Sequence, residues 1–256
     1  FYRTDIFDNL NIAPPDTWED VYRILPTLQE NGMTFYYPVQ DGVPFFYQHG
    51  IDYYTSDGLR NRLRDEEAVA PFIQWTELIK KYSLPIEVPS FYNHFRIGDI
   101  PIGIGNFGTY VTFALAAPDI AGHWKIAPMP GIRREDGTVV RWNEQGGSSM
   151  MIMQKSEKKE QAWQFLKWWS SKETQLRYAQ DIESFLGFEY RWNSANLEAM
   201  VQAPWDEEDL QVIKEQIRWI KNVPSVPGSY FLGRELSFAW NNAVLAGMPD
   251  KAALEQ

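Results

Sequence analysis

The sequence predicts an α/β fold, and three observations carry that reading. Amphipathic stripes at helical spacing alternate with short β-rich runs along the whole chain. Turn signals built from Pro, Gly, Asn and Asp separate them. No repeat, low-complexity tract or obvious linker interrupts the alternation.

Taken in order, Pro14-Pro15-Asp16-Thr17 closes an extended opening segment. Thr17 is placed to cap a helix, with Asp20 three residues on as its capping partner. Trp18, Val21, Tyr22, Leu25 and Leu28 form that helix's apolar stripe, and Gly32 ends it. Met33 to Val39 is a strand-like run. Asp41 to Tyr54 is turn-rich and aromatic. A second helix is expected from Ala68 to Tyr82, with Val69, Phe72, Trp75, Ile79 and Tyr82 on one side. Ile100 to Ile104 reads as a strand, Gly105 to Gly108 as a loop, Thr109 to Ala117 as a helix and Trp124 to Met129 as a strand. Glu135-Asp136-Gly137-Thr138 is a hairpin-type turn. Ser148 to Met153 reads as a strand after Gly146-Gly147. Ser156 is placed to cap a helix whose stripe is Ala162, Phe165, Leu166 and Trp169. Another helix starts near Ser171. Asp206 caps one with Leu210, Ile213, Ile217 and Ile220 inward, and a last helix runs from Arg234 to Ala246.

Composition narrows the function. The 256 residues carry 24 Lys and Arg against 34 Asp and Glu, a formal net charge of -10. A nucleic-acid binder needs a basic face to neutralise phosphates, so no nucleic-acid partner is expected. The same acidity opposes adhesion to anionic lipid. The absence of Cys excludes thiol catalysis, disulfides and Cys-based zinc sites. His49, His94 and His123 lie far apart without ligand-spaced partners, so no metal is expected. Gly103-Ile104-Gly105-Asn106-Phe107-Gly108 fits G-x-G-x-x-G, but no acidic residue follows at the spacing of a dinucleotide site. The bland alternative is a turn where backbone approaches a neighbour closely. No catalytic residue can be assigned. A glycosidase would need two opposed carboxylates, and none of the acidic residues stands out as such a pair. The 11 Trp, 13 Tyr and 15 Phe are more aromatic surface than a core of this size needs. Flat rings suit the C–H faces of sugars, and indole N–H or phenol O–H groups suit their hydroxyls.

Several segments, in order, carry a family resemblance. Phe1-Tyr2-Arg3-Thr4-Asp5-Ile6-Phe7 resembles a "YNKDLF"-like crossover strand. Pro15-Asp16-Thr17-Trp18-Glu19-Asp20 resembles a "P-x-T-W-E-E/D" helix start. Pro118-Asp119-Ile120-Ala121-Gly122 with Ala127-Pro128-Met129-Pro130-Gly131 resembles "PDIAGKWGVAPLPG". Gly146-Gly147-Ser148-Ser149-Met150-Met151-Ile152 resembles "GGxxLAI", and Lys159 to Trp168 is similar to "KEAAWEFLKF". Together they resemble the family 1 bacterial extracellular solute-binding proteins, the group that includes maltose-binding protein.

That resemblance implies a periplasmic-binding-protein-like type II, two-lobed fold, here the C-terminal lobe plus the returning helical part of the N-terminal lobe. Residues 1–7 would be a hinge crossover. Residues 8–145 and 224–256 would build the C-terminal lobe. Residues 146–223 would be the second crossover and helices of the N-terminal lobe, whose remainder would precede residue 1. The implied function is capture of a small-molecule carbohydrate, an oligosaccharide or related solute, in an aromatic-lined interlobe cleft for the permease subunits of an ABC importer, with no enzymatic activity and no cofactor. The implied location is extracellular, anchored at the cell surface or periplasmic, with any lipid anchor outside this chain. A carbohydrate-active enzyme or an adhesion module is the alternative. The expected ligand contacts are Phe45, Phe46 and Tyr47, then Asn106, Phe107 and Tyr110, then Gly146 and Gly147, then Trp240 and Asn241.

Overall fold

The computed structural model describes residues 1–144 and 146–256. These form two compact units. The first comprises Phe1–Ile104, Trp124–Gln145 and Glu215–Gln256, and the second Gly105–His123 and Gly146–Lys214. Gly105–His123 thus groups with the later helices.

In the first unit, β1 (Tyr2–Arg3) leads into α1 (Thr4–Leu10), followed by α2 (Trp18–Glu30), β2 (Phe35–Tyr36), α3 (Val43–Gln48), α4 (Val69–Lys80), α5 (Phe91–Ile97) and β3 (Ile102–Gly103). In the second, α6 is Phe107–Ala116. The first unit resumes with β4 (Trp124–Lys125), β5 (Ile132–Arg133), β6 (Val139–Val140) and β7 (Asn143–Glu144). The second then adds α7 (Lys159–Trp169), α8 (Lys172–Leu186) and α9 (Leu197–Met200). Helix α10 (Glu207–Ile217) leads back to the first unit, which ends with β8 (Ile220–Lys221), α11 (Ser229–Val244) and α12 (Asp250–Glu255).

The sheet of the first unit has the order β2-β3-β1-β4. Strands β2 and β3 are parallel, pairing Phe35 with Ile102, whereas β1 runs antiparallel to both β3 and β4. Strands β5 and β6 form the hairpin expected around Gly137. Strands β7 and β8 pair in parallel, Asn143 to Ile220 and Glu144 to Lys221. The core beneath holds Trp18, Phe35, Tyr37, Phe45, Phe72, Trp75 and Trp240. Burying each such ring stabilises the fold by roughly 1.5–3 kcal/mol.

Local rules explain most of these boundaries. Thr17 Oγ1 accepts from Asp20 N, and the Asp20 carboxylate accepts from Thr17 N, the reciprocal box expected at the start of α2. Gly32 follows with φ +72°, a backbone conformation that costs glycine little. Ser171 caps α8 by accepting from Thr174 N, and Asp206 Oδ1 accepts from Glu208 N at the start of α10.

Several expectations change, among them the start of the last expected helix, which begins at Ser229 and not at Arg234. The turn-rich stretch after Asp41 contains α3, because Pro44 suits a first helical turn. Helix α5, capped by Ser90, had no counterpart in the pattern reading. Ser148 to Met153 is not a strand, and its methionines Met150, Met151 and Met153 are 52%, 77% and 67% exposed. Helix α7 starts at Lys159, while Ser156 Oγ accepts from Lys158 N without capping it.

Candidate ligand-binding site

The expected contact residues fall in both units. In the first, α3 presents Phe45, Phe46 and Tyr47. Phe45 and Phe46 have no exposed surface. The Phe45 ring sits 4.8 Å from Trp18 and 5.5 Å from Tyr37, centroid to centroid. Their ring faces are therefore occupied by the core. Tyr47 is equally buried but reaches a polar cluster. Its hydroxyl donates to Asn222 O at 3.1 Å, and Lys221 Nζ stands 4.0 Å from its ring centroid. Lys221 also lies 5.2 Å from the Trp142 ring and pairs with Asp52. Burial, with the nearby Asp52 and Glu144 carboxylates, pushes the Tyr47 phenol above its ordinary range.

Asp41 stands two residues before α3. Burial, with Glu144 adding like-charge repulsion, pushes its carboxyl up to about 6, against the donated Val43 N–H. The strands β7 and β8 carry this cluster. Trp142 and Trp219 meet edge to face at 5.3 Å just before them. Buried Gln48 ties α3 to the same segment, accepting from Trp18 Nε1 and donating to Pro130 O and Trp142 O.

Trp240 is 1% exposed, its ring 5.9 Å from Trp75. Its indole N–H has no hydrogen-bond partner among the described residues. Asn241 is half-buried and borders a cavity of about 620 Å³ in the same unit.

In the second unit, Asn106 is the cap of α6. Its Oδ1 accepts from Thr109 N at 3.2 Å, and Thr109 Oγ1 accepts from Asn106 N in return. The helix therefore starts at Phe107, two residues before the expected Thr109. Phe107 meets Trp205 at 5.9 Å, and Tyr110 meets the same indole at 5.6 Å and Phe188 at 6.4 Å. The Tyr110 hydroxyl donates to Asp209 Oδ2 at 2.8 Å, and burial pushes that phenol above its usual range. Arg191 lies 4.0 Å over Phe188 and 5.3 Å from Trp205, held by two bonds to the Glu183 carboxylate. Gly146 and Gly147 are exposed in irregular backbone, and open space surrounds the position a Gly146 side chain would take.

Asn106, Phe107 and Tyr110 are thus brought into one aromatic cluster. Its other members, Phe188, Arg191 and Trp205, escaped the sequence reading because they lie about 80 to 100 residues away in irregular segments with no periodicity. The Trp205-Asp206 pair, an aromatic directly before a helix cap, was their one local signal.

The glycine pattern at Gly103 to Gly108 resolves to packing. A side chain at Gly103 would stand 2.6 Å from Tyr36 Cβ and 2.7 Å from a Phe91 ring carbon. The strand after α6 is β4, which pairs antiparallel with β1, so the unit that a dinucleotide needs is not formed there. Among the described residues no group of three or more His, Cys, Asp and Glu is placed to hold a metal ion, and no helix is long and apolar enough to cross a membrane.

The sequence profile of the bacterial extracellular solute-binding proteins matches residues 1–176. The chain belongs to that family. The structure resembles solved relatives over nearly its whole length. One is the sugar-binding protein MalE from Xanthomonas citri (TM-score 0.77, 18% identity, 99% of this chain and 65% of that one). A second is a solute-binding protein of an ABC transporter from Thermotoga lettingae, bound with alpha-D-tagatose (0.74, 17%, 99% and 66%). A third, from Agrobacterium radiobacter K84, is in complex with ribitol (0.70, 20%, 99% and 66%). The α/β, periplasmic-binding-protein-like fold expected from the sequence is the one observed. The chain spans about two thirds of the length of these proteins. A search of curated proteins found no match by sequence.

Proposed function

We propose that this chain is the greater part of the substrate-binding component of an ABC importer, and that its solute is a carbohydrate or polyol. Family membership carries this reading. The relatives bound with tagatose and ribitol support the solute class. In this reading the protein works outside the cytoplasmic membrane, hands its ligand to permease subunits and does not transform it. In this reading the first unit belongs to one lobe of the fold, and the second, Gly105–His123 with Gly146–Lys214, to the other, so the boundaries expected from the sequence shift at 105–123 and 215–223.

The proposed sugar-facing surface of the second unit is Asn106, Phe107 and Tyr110 with the open backbone of Gly146 and Gly147. Phe107 and Tyr110 offer ring surface steadied by Trp205, and Gly146 leaves its amide approachable. In the first unit the proposed contribution comes from Asn241, with Phe45, Phe46, Tyr47 and Trp240 supporting it from the core.

The test is calorimetric titration of the full-length protein with tagatose, ribitol, maltose and longer maltodextrins. At least one should bind and be recovered unchanged. Phe107→Ala should weaken it about tenfold or more while leaving the fold intact. Heat-free titrations across the whole panel, or release of a hydrolysed product, would defeat the proposal.

A further inference from the structure

We propose that the α6 cluster takes neutral, hydroxyl-rich solutes and refuses their acidic counterparts, and that Asp209 is the residue that decides between them. The inference rests on the reading of that cluster as solute-facing, and adds a charge criterion to it. All the groups concerned lie in the second unit. Of the charges acting on the Tyr110 phenol, Asp209 and Asp206 are negative and Arg191 is positive. Arg191 is buried, and its Nε and Nη2 donate to the two Glu183 carboxylate oxygens at 3.0 and 2.7 Å, with Nη2 also donating to Pro204 O at 3.2 Å. Its guanidinium lies over Phe188 and beside Trp205. Clamping a ligand carboxylate or phosphate takes such a two-donor edge, and here Glu183 occupies it and cancels the charge.

With Arg191 matched by Glu183, the Asp206 and Asp209 carboxylates remain in excess. The first turn of α10 adds Glu207 and Glu208 beside Asp209. The positive end of that helix is equivalent to about half an elementary charge, less than one carboxylate. The Tyr110 edge of the cluster is therefore electronegative, and an anion brought to it is repelled. Hydrogen bonding gives a second and independent criterion. The Tyr110 hydroxyl donates to Asp209 Oδ2 at 2.8 Å. With its proton placed there, the phenol meets a ligand as an acceptor, and the half-buried Asp209 carboxylate accepts as well. A sugar hydroxyl can donate to such a wall, whereas an ionised carboxylate or phosphate has no proton to give. The rings of Phe107 and Tyr110 suit the C–H faces of neutral and acidic sugars alike, so they supply contact and no discrimination.

The experiment compares matched pairs on the full-length protein: maltose with maltobionate, and ribitol with ribonate, by calorimetric titration at low ionic strength. The neutral member of a pair should bind at least about tenfold more tightly than its acid. Asp209→Asn keeps an acceptor for Tyr110 and removes the charge. It should shrink the gap to about threefold or less, chiefly by admitting the acid. Asp209→Glu keeps the charge and should keep the gap. Added salt should narrow the gap in the unsubstituted protein and leave it nearly constant in Asp209→Asn. If neither neutral solute binds, the solute reading fails and takes this inference with it. A neutral solute that binds no better than its acid, or a gap unchanged in Asp209→Asn, would overturn this inference alone.

Discussion

Asp41 shows how a single residue couples the candidate site to pH. Its carboxyl titrates near 6, against an ordinary value of 3.8, because burial and the Glu144 charge oppose ionisation. A carboxyl raised in the folded state binds a proton there that the unfolded chain has already released. Asp41's own contribution to stability is therefore fully present below about pH 4, and is lost as pH rises through the window from 3.8 to about 6. The whole shift corresponds to roughly 1–3 kcal/mol. Asp41→Asn keeps the acceptor for Val43 N–H and removes the charge. It should stabilise the protein at pH 7, leave it nearly unchanged at pH 4 and flatten the profile between. Denaturant midpoints at the two pH values measure this. An equal effect at both would mean that the Asp41 charge is not strained.

At the scale of the element, α2 depends on the Thr17 box. The Thr17 hydroxyl is buried, accepts from Asp20 N at 3.2 Å and donates to the Asp20 carboxylate at 2.9 Å. That carboxyl sits below its ordinary range despite partial burial, because Thr17 side-chain and backbone donors and Asp16 N–H stabilise the anion. The helix in turn buries Trp18, Val21, Ile24, Leu25 and Leu28. Thr17→Ala should cost about 1–2 kcal/mol, seen as a lower denaturant midpoint at an unchanged slope. Thr17→Ser should restore most of it. A full-sized loss in both variants would point to lost methyl packing instead of the cap. This element was readable because its signals are local: a cap, its partner three residues on and an uninterrupted stripe. Helix α3 was not, since its six residues are all buried and leave no polar face to set a period.

At the scale of the molecule, the second unit carries apolar surface that its own packing leaves open. No residue of α7 is buried, and Trp163, Phe165 and Trp168 are 53%, 52% and 56% exposed. Helix α10 likewise has no buried residue, although Leu210, Ile213 and Ile217 are partly covered. Exposed patches on monomers seldom exceed about 300–600 Å². The isolated 256-residue chain should therefore self-associate, with mass rising with concentration in sedimentation equilibrium. Phe165→Ser with Trp168→Ser should shift it toward monomer. A clean monomer whose α7 indoles are shielded from a soluble quencher would sink this expectation.

The sequence by itself determined the α/β class, the helix starts at Thr17, Ser171 and Asp206, the turn at Gly137 and the family. Each of these is written in neighbours within a few residues, or in short runs kept in order. Tertiary structure decided what the aromatic residues do. Phe45 and Phe46 read as equal to Phe107 in sequence, yet the first two are sealed in a core and the last stands beside Trp205, some 100 residues on. It likewise decided that Gly103 serves close packing against Tyr36 and Phe91, and that Asn61 is buried beside a cavity with its oxygen unpaired. Burial and long-range contact are properties of the folded chain, and no local pattern encodes which ring faces a core and which faces water.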